Sequence, residues 1–469
     1  MPRIAELDYA ADPGPLFVAL RDEPWPALLE SGHASGHPDA RYDILSADPF
    51  ATLTTRGTET VVERRGRLER SARPPLELLR ELLGPRTAPA AGLHADLPFA
   101  GGALGYFAYD FGRLLERLPS IAAHDVALPD VALGLYDWAI VIDHAARRTF
   151  VVGEGRDPRT FERWDERLER LRRGGGRARQ PFAVRSAPTS SFDRESYGRA
   201  FERIKRHIRA GDCYQVNLTQ RFSATVAGDS WQAYRALRRI NPAPFAAFLE
   251  LPGGAVLSSS PERFLRVRDG RVETKPIKGT RPRAADPARD RALAEELAAS
   301  GKDRAENVMI VDLLRNDLGK SCAPGSVRAT KLFDVESFAS VHHLVSTVEG
   351  RLAEGKDALD LLAGCFPGGS ITGAPKLAAM QIIEAVEPHR RSVYCGCIGY
   401  IGFDGAMDTS IAIRTLVRDG ERIHAWAGGG VVADSEAEAE YQESLDKAAA
   451  LLAVLGDRAG PDAADGSER

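Results

Sequence analysis

Ten consecutive residues, Arg172-Arg173-Gly174-Gly175-Gly176-Arg177-Ala178-Arg179-Gln180-Pro181, cannot form a buried element. Glycine, arginine and proline leave no apolar face there, so the stretch reads as a surface connection or linker. At 469 residues the chain also exceeds one ordinary core, which points to two domains or one large layered one. Ahead of the seam, short β-like runs such as Trp138-Ala139-Ile140-Val141-Ile142 and Thr149-Phe150-Val151-Val152 alternate with turns. Behind it, Tyr197, Phe201, Ile204 and Ile208 recur at helical spacing, and Gly211 supplies a stop. A strand is expected next, with Tyr214, Val216 and Leu218 on one face and Gln215, Asn217 and Thr219 on the other. That amide-rich face either lines a cavity or meets solvent. The division is an N-terminal region over 1–185, a second domain over 190–455 and a polar, disordered tail over 456–469.

Composition narrows the class. A hydrophobic content of 43%, a charged content of 27% and a net charge of −4 describe a globular protein with no nucleic-acid footprint. No apolar run is long enough to span a membrane, and the first residues carry no signal peptide. The five cysteines are dispersed, and Cys395 and Cys397 match neither a redox nor a zinc spacing, so a reduced cytoplasmic enzyme is expected.

Two predicted helices carry acid pairs at helical spacing. In Lys302–Leu314, Met309, Ile310, Leu313 and Leu314 define a core stripe, and Asp303 and Glu306 lie together near the N-terminus. In the second, from about Ser435 to Leu452, Ser435 and Glu438 read as a capping box, and Glu440, Glu443 and Lys447 share a face. Either pair alone is usually a solvated helix face. Together they could surround a divalent cation, and all-oxygen donors without histidine or cysteine favour Mg²⁺ over zinc. Lys278 lies between a Pro-Ile strand end and a Gly-Thr turn, where it is a surface lysine, a site cation or a nucleophile of lowered pKa. Gly428-Gly429-Gly430 reads as an anion nest or a plain turn, and Arg414 as a charge inside an apolar strand that needs a partner. Phe366–Lys376 reads as a tight loop entering a helix at Pro375. These residues point to a Mg²⁺-dependent site for a small acidic substrate.

In this order the segments resemble the chorismate-utilising enzymes. The resemblance is carried by Gly211–Leu218, Ser258–Phe264, the Lys302–Asn307 helix, Arg315–Gly319, Phe366–Lys376, Gly428–Gly430 and Glu440–Glu443. It implies an α/β (α+β) fold, a two-sheet sandwich with helices on the outer faces, with 190–455 as the chorismate-binding catalytic domain. Members that add water carry a lysine where this chain has Gln215, so ammonia is the implied nucleophile. Anthranilate-forming members resemble Pro-Ile-Ala-Gly-Thr at 276–280, whereas members that aminate chorismate at ring carbon 4 resemble the Pro-Ile-Lys-Gly-Thr found here. The implied reaction gives 4-amino-4-deoxychorismate, towards p-aminobenzoate and folate, through a covalent adduct on Lys278 with Glu262 as general acid. The open alternatives are anthranilate formation with pyruvate release and a non-catalytic chorismate-binding homologue.

The resemblance also implies the ligands of the site. Glu306, Glu440, Glu443 and Asp303 fall at Mg²⁺; Gln215, Gly279, Thr280, His343, Tyr394, Arg414, Gly428, Gly429 and Lys447 fall in the substrate pocket. His343 has a second reading as a hydrogen-bonded core histidine. The N-terminal region matches through Leu28–Ser31, Arg41–Ile44 and Gly101–Tyr106. With Asn241–Phe245, the Ser31 segment resembles a tryptophan-binding pocket, placing Ser31, Pro242 and Phe245 there. Gly396-Cys397-Ile398-Gly399 has no His-Gln after it, so ammonia is expected from a separate glutamine amidotransferase subunit.

Overall fold

The computed structural model describes residues 2–87, 97–338 and 341–456. Several strands are apolar on both faces, and this dictates the layering. In Trp138–Asp143, Trp138, Ile140 and Ile142 enter one apolar cluster while Ala139 and Val141 enter another. Leu257 and Val256 of Gly254–Ser260 divide in the same way. A strand with period-two side chains and two apolar faces must be covered twice, by a second sheet and by helices. The larger cluster joins Leu53, Leu104 and Leu133 of one sheet to Ile44, Val141 and Val256 of the other. On the first sheet's outer face, Phe17, Trp231 and Leu451 come from helices Gly14–Leu20, Ser230–Ile240 and Ala437–Val454.

Strand pairing within both sheets is antiparallel, and both run through the Arg172–Pro181 seam. The first passes from Arg3–Leu7 through Trp138–Asp143 and Tyr42–Ser46 to Ala27–Glu30, which pairs with Phe245–Leu251. It continues through Gly254–Ser260, Thr415–Asp419 and Arg422–Val431 to Gln215–Ala227. In the second sheet Gly102–Phe107 pairs with Cys397–Gly402. The Gly174–Pro181 stretch lies mostly exposed at the surface, as its composition requires. Apart from Gly456, the expected tail lies outside the described residues.

Local expectations meet the structure unevenly. Helix Arg194–Ala210 ends at Gly211 in the left-handed region, with Tyr197, Phe201 and Ile204 buried. The Gln215–Ala227 strand turns its amide face inward, since Gln215 and Thr219 are buried, while Tyr214 precedes the strand and is 73% exposed. In helix Gly301–Gly319 the core stripe is rotated: Ile310, Val311, Leu314 and Leu318 are buried, and Met309 and Leu313 only partly. The Ser435–Glu438 capping box is absent, because the Ser435 hydroxyl donates to Glu440 at 2.7 Å and Glu438 pairs with Arg194.

One fully buried ion pair ties three of these pieces together. Arg391 is 1% exposed and donates to both Glu387 oxygens at 2.9 and 2.6 Å. It also donates to the carbonyls of Ile371 (2.9 Å) and Asn217 (3.1 Å), while Glu387 accepts from the Thr219 N–H (2.9 Å) and hydroxyl (2.8 Å). Removing one partner leaves a buried charge uncompensated, so Arg391→Met is expected to cost ~3–5 kcal/mol in urea unfolding. Arg391→Met/Glu387→Met should cost less than either single change; a larger loss in the double variant would contradict this account.

Candidate active site

The strand Ile277–Pro282 carries Lys278, and its pairing with Val341–Arg351 shifts register between Lys278 and Thr280. The shift is a bulge at Gly279, whose φ is +76°. The expected turn is therefore a kink inside a strand. A Cβ on Gly279 would approach Asp303 and Leu297 at 2.9 Å, so only glycine admits this close approach to helix Gly301–Gly319. The bulge re-aims Lys278, whose Nζ donates to the Ser370 carbonyl at 3.2 Å. Its side chain is only partly accessible and is surrounded by protein. Burial holds the amine below the ordinary lysine value, against the upward pull of Glu306, Glu262 and Glu443, with Lys447 acting downward.

Glu262 stands in the opposite state. It is buried, and burial raises its pKa to about 7 despite hydrogen bonds from Ser370 and the Ile277 N–H and the charge of Lys278. An acid whose protonated form persists towards neutrality, beside an amine held towards its neutral form, can supply a proton donor and a nucleophile.

Further carboxylates lie within electrostatic reach of Lys278. Glu306 and Glu440 are raised by burial; Glu306 is also repelled by Asp303 and Glu443, and Glu440 by Glu443. Burial pushes Glu443 upward, but Lys447, 2.5 Å away, together with Lys278 and Lys302 outweighs it, so its pKa is lowered. Asp303 turns partly aside to Arg281 at 3.4 Å. Neither the anion nest nor the plain turn is formed, since Gly428–Gly430 lie in the paired strand Arg422–Val431. Their hydrogens make room for side chains: a Cβ at Gly429 would meet a Glu440 oxygen at 2.8 Å, and one at Gly430 the Gln215 amide at 2.0 Å. Mutually repelling oxygen donors with no nitrogen or sulfur among them fit Mg²⁺. Two other groups, His33–Asp43–His144 and His37–Asp39–Glu336, gather ligand atoms within 4.8 Å; the glutamates are not drawn together that tightly.

Cationic and hydroxyl groups complete the surround. Arg414 is not inside a strand; it occupies the break between Met407–Ile411 and Thr415–Asp419 with φ +51°, a conformation costly for a non-glycine residue. Its guanidinium donates to the Lys447 carbonyl and, among the described residues, forms no salt bridge with a carboxylate. Burial lowers its pKa, opposed by nearby Tyr394 and Glu443. Lys447 donates to the Gly428 carbonyl at 3.1 Å. Tyr394 is buried and stacks on Trp426 with centroids 6.0 Å apart. His343 is buried and bonded through Nδ1 to the Thr280 hydroxyl (2.9 Å); burial, with Arg414 and Lys447, drops its pKa to about 4, so it is neutral near pH 7. Gln215 donates to Asn217 at 3.2 Å, leaving its buried Oε1 without a partner. A guanidinium without a carboxylate and an orphaned acceptor suit an anionic substrate and an N–H donor.

A cavity of about 270 Å³ lies between the sheets, lined by Ser31, Phe245, Glu30, Tyr42, Asp39 and Arg263 among others. Pro242 is not among its lining residues; Pro244 is. Sequence reasoning missed Ser370, which bonds Lys278 through its carbonyl and Glu262 through its hydroxyl, and Asp317, buried and paired with Lys376 at 2.7 Å. Both lie in segments quoted for the resemblance, but only the folded loop reveals their contacts.

Comparison with known proteins agrees with this fold. The sequence model for "chorismate binding enzyme" matches residues 29–453. The chain is 49% identical over 444 residues to "Aminodeoxychorismate synthase component 1" of Salmonella typhimurium, covering 94% of this chain and 95% of that protein. It is 46% identical over 375 residues to "Anthranilate synthase component 1" of Thermus thermophilus, covering 77% and 79%. The crystal structure of anthranilate synthase component I from Streptococcus pneumoniae superposes with a TM-score of 0.77 at 34% identity, over 88% of this chain and 92% of that one. The chain is an enzyme and belongs to the chorismate-binding enzyme family.

Proposed function

We propose that the protein aminates chorismate at ring carbon 4, giving 4-amino-4-deoxychorismate. The observation that carries this reading is Lys278, held at the Ser370 carbonyl with a depressed pKa beside a protonatable Glu262. The neutral Lys278 amine attacks carbon 2; both conjugated ring double bonds shift by one position, and the carbon 4 hydroxyl leaves as water with the Glu262 proton. Ammonia then attacks carbon 4, both double bonds return, the Lys278 amine departs neutral, and the new ammonium gives its surplus proton back to Glu262. Gln215 cannot remove a proton from water but its free Oε1 accepts an N–H, which supports ammonia as the nucleophile. Arg414, Lys447 and the Tyr394 hydroxyl would hold the substrate's carboxylates, and neutral His343 would meet its ring hydroxyl. Glu306, Glu440 and Glu443, with Asp303 at the edge, would hold Mg²⁺, whose charge neutralises a substrate carboxylate. The ammonia would come from a glutamine amidotransferase subunit, consistent with relatives named as component 1. The acidic product suits a cytoplasmic route to p-aminobenzoate, and no helix among the described residues is long and apolar enough to cross a membrane.

A second reading, anthranilate formation, is favoured by the relatives of that name. Chorismate, ammonia and Mg²⁺ should give aminodeoxychorismate without pyruvate; stoichiometric pyruvate with anthranilate fluorescence would establish the second reading. Lys278→Ala should abolish aminodeoxychorismate formation or divert product towards anthranilate, followed by chromatography. Unchanged aminodeoxychorismate output would remove the covalent step.

The acid must be protonated and the amine free, so kcat should rise with pH on the Lys278 limb and fall as Glu262 ionises at about 7. Glu262→Gln should lower kcat ~10²–10⁴-fold and erase the alkaline limb. Chelation should abolish turnover, and added Mg²⁺ should restore it where Zn²⁺ does not. Full activity in chelator would contradict the carboxylate assignment.

A further inference from the structure

Glu262 and Lys278 lie sixteen positions apart, yet each has a basic neighbour gripping one carboxylate of the N-terminal region. Arg263, the residue after Glu262, reaches Asp39 Oδ1 at 2.8 Å. Lys275, three residues before Lys278, reaches Asp39 Oδ2 at 2.8 Å. All three side chains are largely buried, with exposures of 6% for Arg263, 13% for Lys275 and 15% for Asp39. Each base is further fixed, Arg263 by Asp408 (3.1 Å) and Glu273 (2.8 Å), Lys275 by Glu336 (2.7 Å). Burial opposes ionisation of Asp39, but Arg263 and Lys275 override it and hold the carboxyl far below its usual range. The contact that joins the reacting segments is the N–H of Ile277, the residue before Lys278, bonded to the Glu262 carboxyl.

We infer that Asp39 is a positioning residue for the Glu262–Lys278 pair, its two oxygens fixing the spacing between the segments that carry the acid and the amine. This rests on the functional reading above. Two long flexible bases cannot set a spacing alone, whereas a rigid carboxylate bound to both converts their ends into one fixed point. Loss of that point lets the strand bearing Ile277 drift from Glu262. Displacements near 1 Å in a reacting pair cost ~10²-fold in rate. The Ile277 N–H favours the ionised form of Glu262, so loosening it raises the Glu262 pKa and moves the alkaline limb to higher pH.

The test compares Asp39→Asn, Lys275→Met and Lys275→Arg in the full chain, with chorismate, ammonia and Mg²⁺. Asp39→Asn and Lys275→Met should each lower kcat roughly ten- to a hundredfold with KM little changed, and both should shift the alkaline limb upward. Lys275→Arg, which retains a charged donor for Asp39 and Glu336, should recover most of kcat and the wild-type limb. Circular dichroism identifies any variant that fails to fold; if Asp39→Asn does, the two Lys275 variants decide. A folded Asp39→Asn or Lys275→Met with wild-type kcat and an unmoved limb overturns the inference, as does a rise in KM alone. The comparison is read on whichever aminated product the wild-type chain makes. A wild type that yields anthranilate therefore sinks the functional reading and leaves the positioning inference to be judged on its own kinetics.

Discussion

The Arg391–Glu387 pair is the constraint on which the site depends. A buried ion pair contributes little net stability unless every donor and acceptor is matched, and here the matching groups belong to two segments other than its own. Glu387 holds strand Gln215–Ala227 at Thr219, and Arg391 holds the same strand at Asn217 and the Phe366–Lys376 loop at Ile371. One residue before Ile371, Ser370 offers its carbonyl to Lys278. The position of the amine thus follows from a charge pair that never touches it.

With the frame fixed, environment divides the labour among ionisable groups of similar intrinsic strength. Glu262 and Glu443 start from the same carboxylic acid; burial away from water drives one towards its neutral form, and Lys447 drives the other towards its charged form. Burial likewise drives Lys278 towards its neutral form. His343 is neutral for the same reason, so it can accept or donate one hydrogen bond without adding positive charge beside Arg414.

Sequence was most informative where chemistry is local. The cap at Gly211, the acid pairs of two helices and the Lys278 motif depend on near neighbours, and their positions could be read directly. The two-sheet class was legible through the family resemblance carried by segments such as Ser258–Phe264 and Glu440–Glu443, while the β-like run Trp138–Ile142 marked one strand. What sequence could not express was partnership at a distance. Arg391 and Glu387 sit four apart and resemble an ordinary solvated pair. Ser435 was taken from its expected capping role by Glu440, and Gly428–Gly430 proved to be clearance for Glu440 and Gln215 rather than a nest. The Gly279 bulge depends on the side chains of a helix more than twenty residues away. The seam at residues 172–181 was read correctly as surface, yet the sheets cross it.

That continuity bears on how the polypeptide is made. Ala27–Glu30 cannot complete its pairing until Phe245–Leu251 has left the ribosome, and Gly102–Phe107 waits for Cys397–Gly402. During that interval the nascent N-terminal region presents two open strand edges flanked by apolar faces, the geometry that invites pairing with other chains. Synthesis is therefore the stage at which this enzyme is most exposed to aggregation, and elongation through the second half of the message is what closes both edges.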